Sequence, residues 1–154
     1  MFRLNRLTDY AVVVMSQMAH GRAQVRTAPQ IAQSTGVPLP TVAKLLNALA
    51  RDGVITSHRG AAGGYSLSRV PEEITVATII QALEGPIALT ACVHGSDDHC
   101  DVETLCPMRG NWEQVNRAIR KALESVTLAD MMALPEAFAG EFGRPEPTLQ
   151  TAGR

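Results

Sequence analysis

The feature that most constrains this chain is a polar, cysteine-bearing segment, residues 92–106, with the sequence CVHGSDDHCDVETLC. It holds all three cysteines of the chain, in the spacing C-x7-C-x5-C, and almost no bulky apolar side chain. A segment this polar has no core of its own, so another source of order is needed. Thiolates that converge on a metal ion or an iron–sulfur cluster would supply that order. The sequence therefore predicts a metal group held by Cys92, Cys100 and Cys106.

The identity of that group is open at this point. Structural zinc sites usually contain C-x2-4-C pairs, and the spacings here are looser. Free thiols that sense oxidants are a further interpretation, with His94 or His99 favouring the thiolate. The spacing favours an iron–sulfur cluster over zinc. No set of nucleophile, base and orienting group is visible, so we do not expect an enzyme or a small-molecule substrate.

The net charge of −1 conceals two halves of opposite sign. Residues 1–70 contain eight Lys or Arg and two acids, a balance of +6, and the remainder has a balance of −7. A basic half indicates a polyanionic partner. No secretory signal and no apolar run of ~20 residues that could span a membrane is visible. We therefore expect a cytoplasmic protein with no membrane partner.

The basic half has the pattern of a helix-turn-helix. A first helix is predicted from a cap at Thr8 to a stop at Gly21, and a second from Thr27 to Gly36. A third begins near Pro40. Its predicted inward face consists of Val42, Leu45, Leu46 and Leu49. The second and third helices form the helix-turn-helix, and the third is the expected recognition helix.

A predicted β-hairpin follows directly, with strands at 54–56 and 65–67 around the turn SHRGAAGG. A hairpin in this place is the wing of a winged helix. Arg59 lies among glycines at its tip, where it could enter a narrow minor groove. The predicted contacts with double-stranded DNA are Pro40, Thr41, Ala43, Lys44, Asn47 and Arg51 on the helix, and His58, Arg59 and Gly60 on the wing.

The acidic half is predicted to contain the cysteine loop and the helix through which two copies of the chain form a dimer. Thr75 caps a helix that stops at Gly85, and a long helix runs from Pro107 to about Ser125. Apolar residues recur along the long helix at steps of three and four, which predicts a homodimer interface. The interface residues are expected to be Trp112, Val115, Ile119 and Leu123. Thr127 caps one further turn.

The predicted fold class is mostly α with a small β-hairpin wing. We expect a winged helix-turn-helix domain at 1–84 and a cysteine loop at 85–106. A dimerisation helix with a C-terminal turn is expected at 107–133. Residues 134–154 are rich in Gly, Pro and acids, which is typical of a disordered tail.

Five motifs are matched together: R-L-T-D-Y at 6–10, R-G-x-x-G-G-Y at 59–65, E-G-P-I-A-L-T-x-C at 84–92, N-W-x-x-V-N-x-A-I-R at 111–120 and T-L-A-D-M at 127–131. As a set they resemble the winged-helix regulators that include the Isc regulator, the nitric-oxide-sensing repressor and the Suf-system regulators. The resemblance is strongest to the Suf-system group. It implies a homodimer that binds a 2Fe-2S or 4Fe-4S cluster and tunes the transcription of cluster-assembly genes. Of the two polarities, we expect repression of the Suf operon by the cluster-bound form.

Two departures limit what the resemblance implies. The Isc regulator has a histidine ligand where this chain has Arg109, and an arginine cannot ligate iron. In the nitric-oxide-sensing relative, an aspartate of the T-D motif reaches the cluster of the other subunit. Asp9 of the partner subunit is therefore the first choice for fourth ligand, and His94, His99 and nearby acids are alternatives. The residues at the recognition-helix contacts also differ, so the DNA preference of the Isc regulator does not transfer.

A rival interpretation from another class is a cluster-binding electron-transfer or carrier protein, with the N-terminal helices serving to dock a protein. The charge asymmetry disfavours it, because an electron carrier has no need of a basic half with an arginine-bearing wing.

Overall fold

A computed structural model describes residues 4–20, 24–96, 98–102, 105–108 and 110–133. The elements in chain order are α1 (Arg6–Ala19), α2 (Ala28–Thr35), α3 (Leu39–Arg51), β1 (Ile55–His58), β2 (Gly64–Leu67), a 3-10 turn (Pro71–Glu73), α4 (Val76–Glu84), α5 (Asn111–Glu124) and α6 (Leu128–Met132). The predicted fold class, mostly α with a hairpin wing, is confirmed. Gly21, Arg109 and the predicted tail at 134–154 lie outside the described residues.

The helix-turn-helix forms from local signals that the sequence displays. Thr27 caps α2 with a capping box, in which its hydroxyl accepts from the Gln30 N–H and the Gln30 side chain accepts from the Thr27 N–H. Gly36 ends α2 in the left-handed conformation. Pro40 lies in the first turn of α3. The buried face of α3 consists of the four predicted residues, Val42, Leu45, Leu46 and Leu49.

The prediction that Thr8 caps α1 was wrong. The helix begins at Arg6, and Asn5 caps it by accepting a hydrogen bond from the Leu7 N–H at 3.1 Å. Thr8 lies inside the first turn, only 1% exposed, and its hydroxyl donates to the Glu84 carboxylate at the end of α4. A hydroxyl that has a tertiary acceptor can be buried within a helix, so the local capping pattern was misleading.

The long helix also begins later than predicted, at Asn111 instead of Pro107. Gly110 precedes it with a φ of +83°, which is incompatible with a right-handed helix. The end of α5 is connected to the core through α6. The Leu128 N–H donates to the Ile74 carbonyl at 2.7 Å, and the Val76 N–H donates to the Val126 carbonyl at 2.8 Å.

The core lies mainly between the N-terminal helices, α4 and α6. Its fully buried members include Ala11, Val14, Met15, Ile31, Leu45, Leu46, Leu49, Ile79 and Leu128. Removing this much apolar surface from water is the main stabilising contribution to the fold. The winged-helix part and the C-terminal turn therefore share one core.

The wing is fixed to the chain between α1 and α2. Strands β1 and β2 pair antiparallel, with Ile55 opposite Leu67 and His58 opposite Gly64. On its other edge β2 pairs with Arg26, since the Tyr65 N–H donates to the Arg26 carbonyl at 2.8 Å. A Cβ at Gly64 would lie 2.6 Å from that carbonyl oxygen, so only glycine permits this close approach.

Candidate functional site

The outward face of α3 carries the predicted DNA-contacting residues. Pro40, Lys44, Asn47 and Arg51 are exposed, and Thr41 and Ala43 are half-buried. Arg51 lies 3.4 Å from Asp52, but the Arg51 side chain is 75% exposed, so this surface ion pair holds it weakly. The basic side chains of this face are therefore free to meet a phosphate backbone.

The wing follows that helix in the chain, and its basic tip is exposed to solvent. Arg59 and Gly60 are exposed, and so is His58 at the end of β1. The His58 Nε2 atom lies 2.8 Å from the Ser66 Oγ atom across the hairpin, which orients the imidazole along the sheet. The arrangement presents Arg59 at the tip of a two-stranded antiparallel hairpin.

The three cysteines are all half-buried and free of disulfide bonds. Within the described residues, no group of three or more His, Cys, Asp or Glu lies close enough together to hold a metal ion. The structure therefore does not bring the three sulfurs together with further ligands in this conformation. As a donor set, three accessible thiols fit an iron–sulfur cluster or zinc. Asp9, His94 and His99, the suggested further ligands, are exposed.

Two side chains of α5 hold the backbone on either side of Cys92. Asn116 is fully buried, with its Oδ1 atom accepting from the Leu89 N–H and its Nδ2 atom donating to the Ile87 carbonyl, both at 3.1 Å. The Glu113 carboxylate accepts from the His94 N–H at 2.9 Å. These hydrogen bonds fall on both sides of Cys92, so the backbone around this thiol is attached to α5.

Sequence reasoning missed these two anchors, although a signal was present. Asn116 interrupts the apolar repeat of α5 between Val115 and Ile119. A polar residue within such a repeat indicates a specific buried partner, because an unpaired amide is costly to bury. The partner itself, a backbone segment at 87–89, cannot be read from spacing.

A further link joins this region to the N-terminal helix. Glu84 ends α4, directly before the segment that leads to Cys92, and it accepts the hydroxyl hydrogen bond of Thr8. Thr8 stands beside Asp9 in the first turn of α1. The start of α1 is therefore connected through one side-chain contact to the segment that leads to the cysteines.

The predicted dimer residues form an apolar stripe on α5. Trp112 is 43% exposed and Val115 is 44% exposed, whereas Ile119 and Leu123 are half-buried. Met108, just before the helix, is also exposed. The N-terminal half of the stripe is thus uncovered in the single chain.

A helix-turn-helix followed by a hairpin with a basic tip defines a winged-helix DNA-binding protein. The chain belongs to the Rrf2 family, described as iron-dependent transcriptional regulators, whose family model matches residues 4–134. No helix within the described ranges is long and apolar enough to cross a membrane.

Relatives of the chain support this assignment. It is 34% identical over 131 residues to the protein Rrf2 of Nitratidesulfovibrio vulgaris, covering 84% of this chain and 87% of that protein. Among solved structures it is similar to CymR, the global cysteine regulator of B. subtilis, with a TM-score of 0.65, 28% identity and coverage of 86% of this chain and 97% of that one. It is also similar to IscR of T. potens, with a TM-score of 0.59, 32% identity and coverage of 85% and 86%. The chain is thus a DNA-binding transcription regulator and not an enzyme.

Proposed function

We propose that this regulator is a homodimer that senses an iron–sulfur cluster and represses the Suf genes for cluster assembly. Cys92, Cys100 and Cys106 would hold the cluster, and Asp9 of the partner subunit is the preferred fourth ligand. The observation that carries the proposal is the attachment of the backbone around Cys92, residues 87–94, to α5 through Asn116 and Glu113. These hydrogen bonds hold the backbone on both sides of Cys92 against the proposed dimer helix.

The apolar stripe of α5 supports the homodimer. A second copy of α5 would cover Trp112 and Val115, each more than 40% exposed in the single chain. A twofold dimer also places two copies of α3 at a fixed separation, which a palindromic operator requires. In this arrangement Pro40 to Arg51 would enter the major groove and Arg59 the minor groove.

The state of the thiols would reach the DNA-reading helices by two routes. One runs from the segment around Cys92 through Asn116 to α5, which sets the distance between subunits. The other runs from Glu84 through Thr8 to α1, which packs on the core of the winged helix. When bound, the cluster supplies a common attachment point for three thiolates. Its loss would release the loop and change the spacing of the two recognition helices.

Anaerobic purification with iron, sulfide and zinc counts and a visible absorption spectrum tests the cluster. The wild-type protein should contain iron and sulfide in equal amounts and absorb in the visible range. Cys92→Ala should lose this absorption, while Val102→Ala, which alters a 64% exposed residue of the same segment without removing a thiol, should keep it. Zinc without sulfide in the wild-type protein would contradict the proposal, as would a full spectrum in Cys92→Ala.

A thiol-based regulator is the second candidate. It is favoured by three half-buried free thiols that, within the described residues, are not part of a metal-ligating group. Metal-free protein whose DNA affinity changes with an oxidant, and recovers with a thiol reductant, would favour this candidate over the cluster.

A further inference from the structure

The outward face of α3 begins with an apolar patch. Leu39, the first residue of the helix, is 44% exposed, Pro40 is exposed and Ala43 is half-buried. The first turn contains no acidic residue, and the N-cap residue Pro38 offers no side-chain hydrogen bond. Thr41 adds a half-buried hydroxyl in the first turn, and the exposed polar side chains of this face follow at Lys44 and Asn47.

This patch is not part of the hydrophobic core. The core-facing residues of α3 are Val42, Leu45, Leu46 and Leu49, and Leu39 packs neither in that cluster nor against it. A single exposed leucine is ordinary on a protein surface. This one, however, occupies the first turn of the recognition helix, where base edges are contacted in helix-turn-helix proteins.

We propose that Leu39, with Pro40 and Ala43 beside it, reads the 5-methyl groups of thymines in the major groove. The inference rests on the DNA-binding function proposed above and deepens it to a base preference. Thymine is suited to such a surface because its methyl group is the apolar feature that an unmodified base pair displays in the major groove. A leucine side chain has no donor or acceptor with which to recognise any other base edge.

The polar residues that follow complete a directional pattern. Asn47 can pair with the N6 and N7 atoms of adenine, and Lys44 can pair with guanine or with phosphate. The first turn of α3 would thus contact thymine methyl groups, and the next turn would form hydrogen bonds with other bases or with phosphate. An operator half-site should place thymine methyl groups where the helix enters, and polar-read bases beyond them.

The test uses duplexes selected from a random library by the full-length protein, purified anaerobically. Single thymines of the selected duplex are replaced by deoxyuridine, which removes only the methyl group. In each half-site, at least one replacement should weaken binding about fourfold, the factor expected for one buried methyl-sized group. Mobility shifts or fluorescence anisotropy measure the ratio.

Protein variants assign the effect to a residue. Leu39→Ala should bind the thymine and deoxyuridine duplexes equally, whereas Leu39→Met should preserve part of the difference. Val70→Ala is the matched control, because Val70 is 53% exposed and lies outside α3. It should leave the fourfold ratio unchanged. Thermal unfolding checks that each variant is folded.

Sequence-selective binding that ignores every methyl deletion would overturn the inference and leave the regulator proposal standing. A methyl effect that persists in Leu39→Ala would overturn the role of Leu39. Absence of sequence-selective binding to any duplex would instead contradict the proposed regulator, and this inference with it.

Discussion

The side-chain oxygen Oδ1 of Asn116 accepts a hydrogen bond from the backbone N–H of Leu89 at 3.1 Å, although 27 residues separate them along the chain. The same amide donates to the Ile87 carbonyl, so one buried side chain satisfies two backbone groups of an irregular segment. A segment with few regular hydrogen bonds depends on such anchors for its conformation. Asn116 thereby fixes the position of the backbone that leads to Cys92.

Asn116→Ala should destabilise the protein by about 1–3 kcal/mol, because it leaves the half-buried Leu89 N–H and Ile87 carbonyl without a partner. Chemical denaturation measures the change, and faster hydrogen exchange at the Leu89 amide would locate it. Gln114→Ala, at an exposed position on the same helix, is the control and should change stability by less than about 0.5 kcal/mol. Equal effects of the two variants would show that the Asn116 anchor is unimportant.

Thr8→Val should lower the free energy of unfolding by about 1 kcal/mol. The substitution removes the hydroxyl that donates a hydrogen bond to Glu84 but nearly preserves the shape of the side chain. Thr8→Ser retains the hydroxyl and should recover much of that loss. The midpoint of urea unfolding is the measurement. A Val variant as stable as wild type would mean that the link between α1 and α4 contributes nothing.

Arg59→Ala should weaken DNA binding by about 1–3 kcal/mol and reduce the salt dependence by about one counterion. The reason is the exposed position of Arg59 at the wing tip, beside the recognition helix. Affinities at several salt concentrations measure both quantities. Arg69→Ala, exposed and beyond the hairpin, should have a smaller effect. If both variants lost the same DNA affinity, Arg59 would contribute only general electrostatic attraction and no specific groove contact.

Acid should loosen α6 through Asp130. The Thr127 backbone N–H and hydroxyl both donate to this carboxylate and hold its pKa below the ordinary value. A lowered pKa in the folded state means that Asp130 contributes stability above the ordinary aspartate pKa, and that this contribution is lost as pH falls through the folded value. Asp130→Asn should therefore show a weaker loss of stability below about pH 4. If Asp130→Asn and the wild-type protein lost stability equally as the pH falls, the assignment would be contradicted.

Local sequence signals predicted the elements whose determinants are local. The caps at Thr27, Thr75 and Thr127 are confirmed, because each side chain acts on backbone within three residues. Thr8 failed for the opposite reason, since its partner Glu84 lies 76 residues away. The same distance problem hid the role of Asn116.

Some residues of the candidate site could likewise be predicted from local sequence signals, and others could not. The outward positions on α3 follow from helical periodicity once the buried stripe is known, so the exposed Lys44 and Asn47 could be anticipated. The role of Leu39 could not be predicted from the sequence. An apolar residue at the start of a helix is expected to belong to the core, and the structure is needed to show that Leu39 is exposed. The three cysteines lie in a segment with no α-helix or strand among its described residues, so no periodicity predicts their arrangement.

The central claim is that DNA affinity depends on a group held by the cysteines. The most direct measurement is the anaerobic affinity for one selected duplex of three samples: protein as purified, protein stripped with a chelator, and Cys92→Ala. We predict that the purified protein binds at least about tenfold tighter, a difference of about 1.4 kcal/mol, and that the other two samples agree with each other. Equal affinities for all three would contradict the claim.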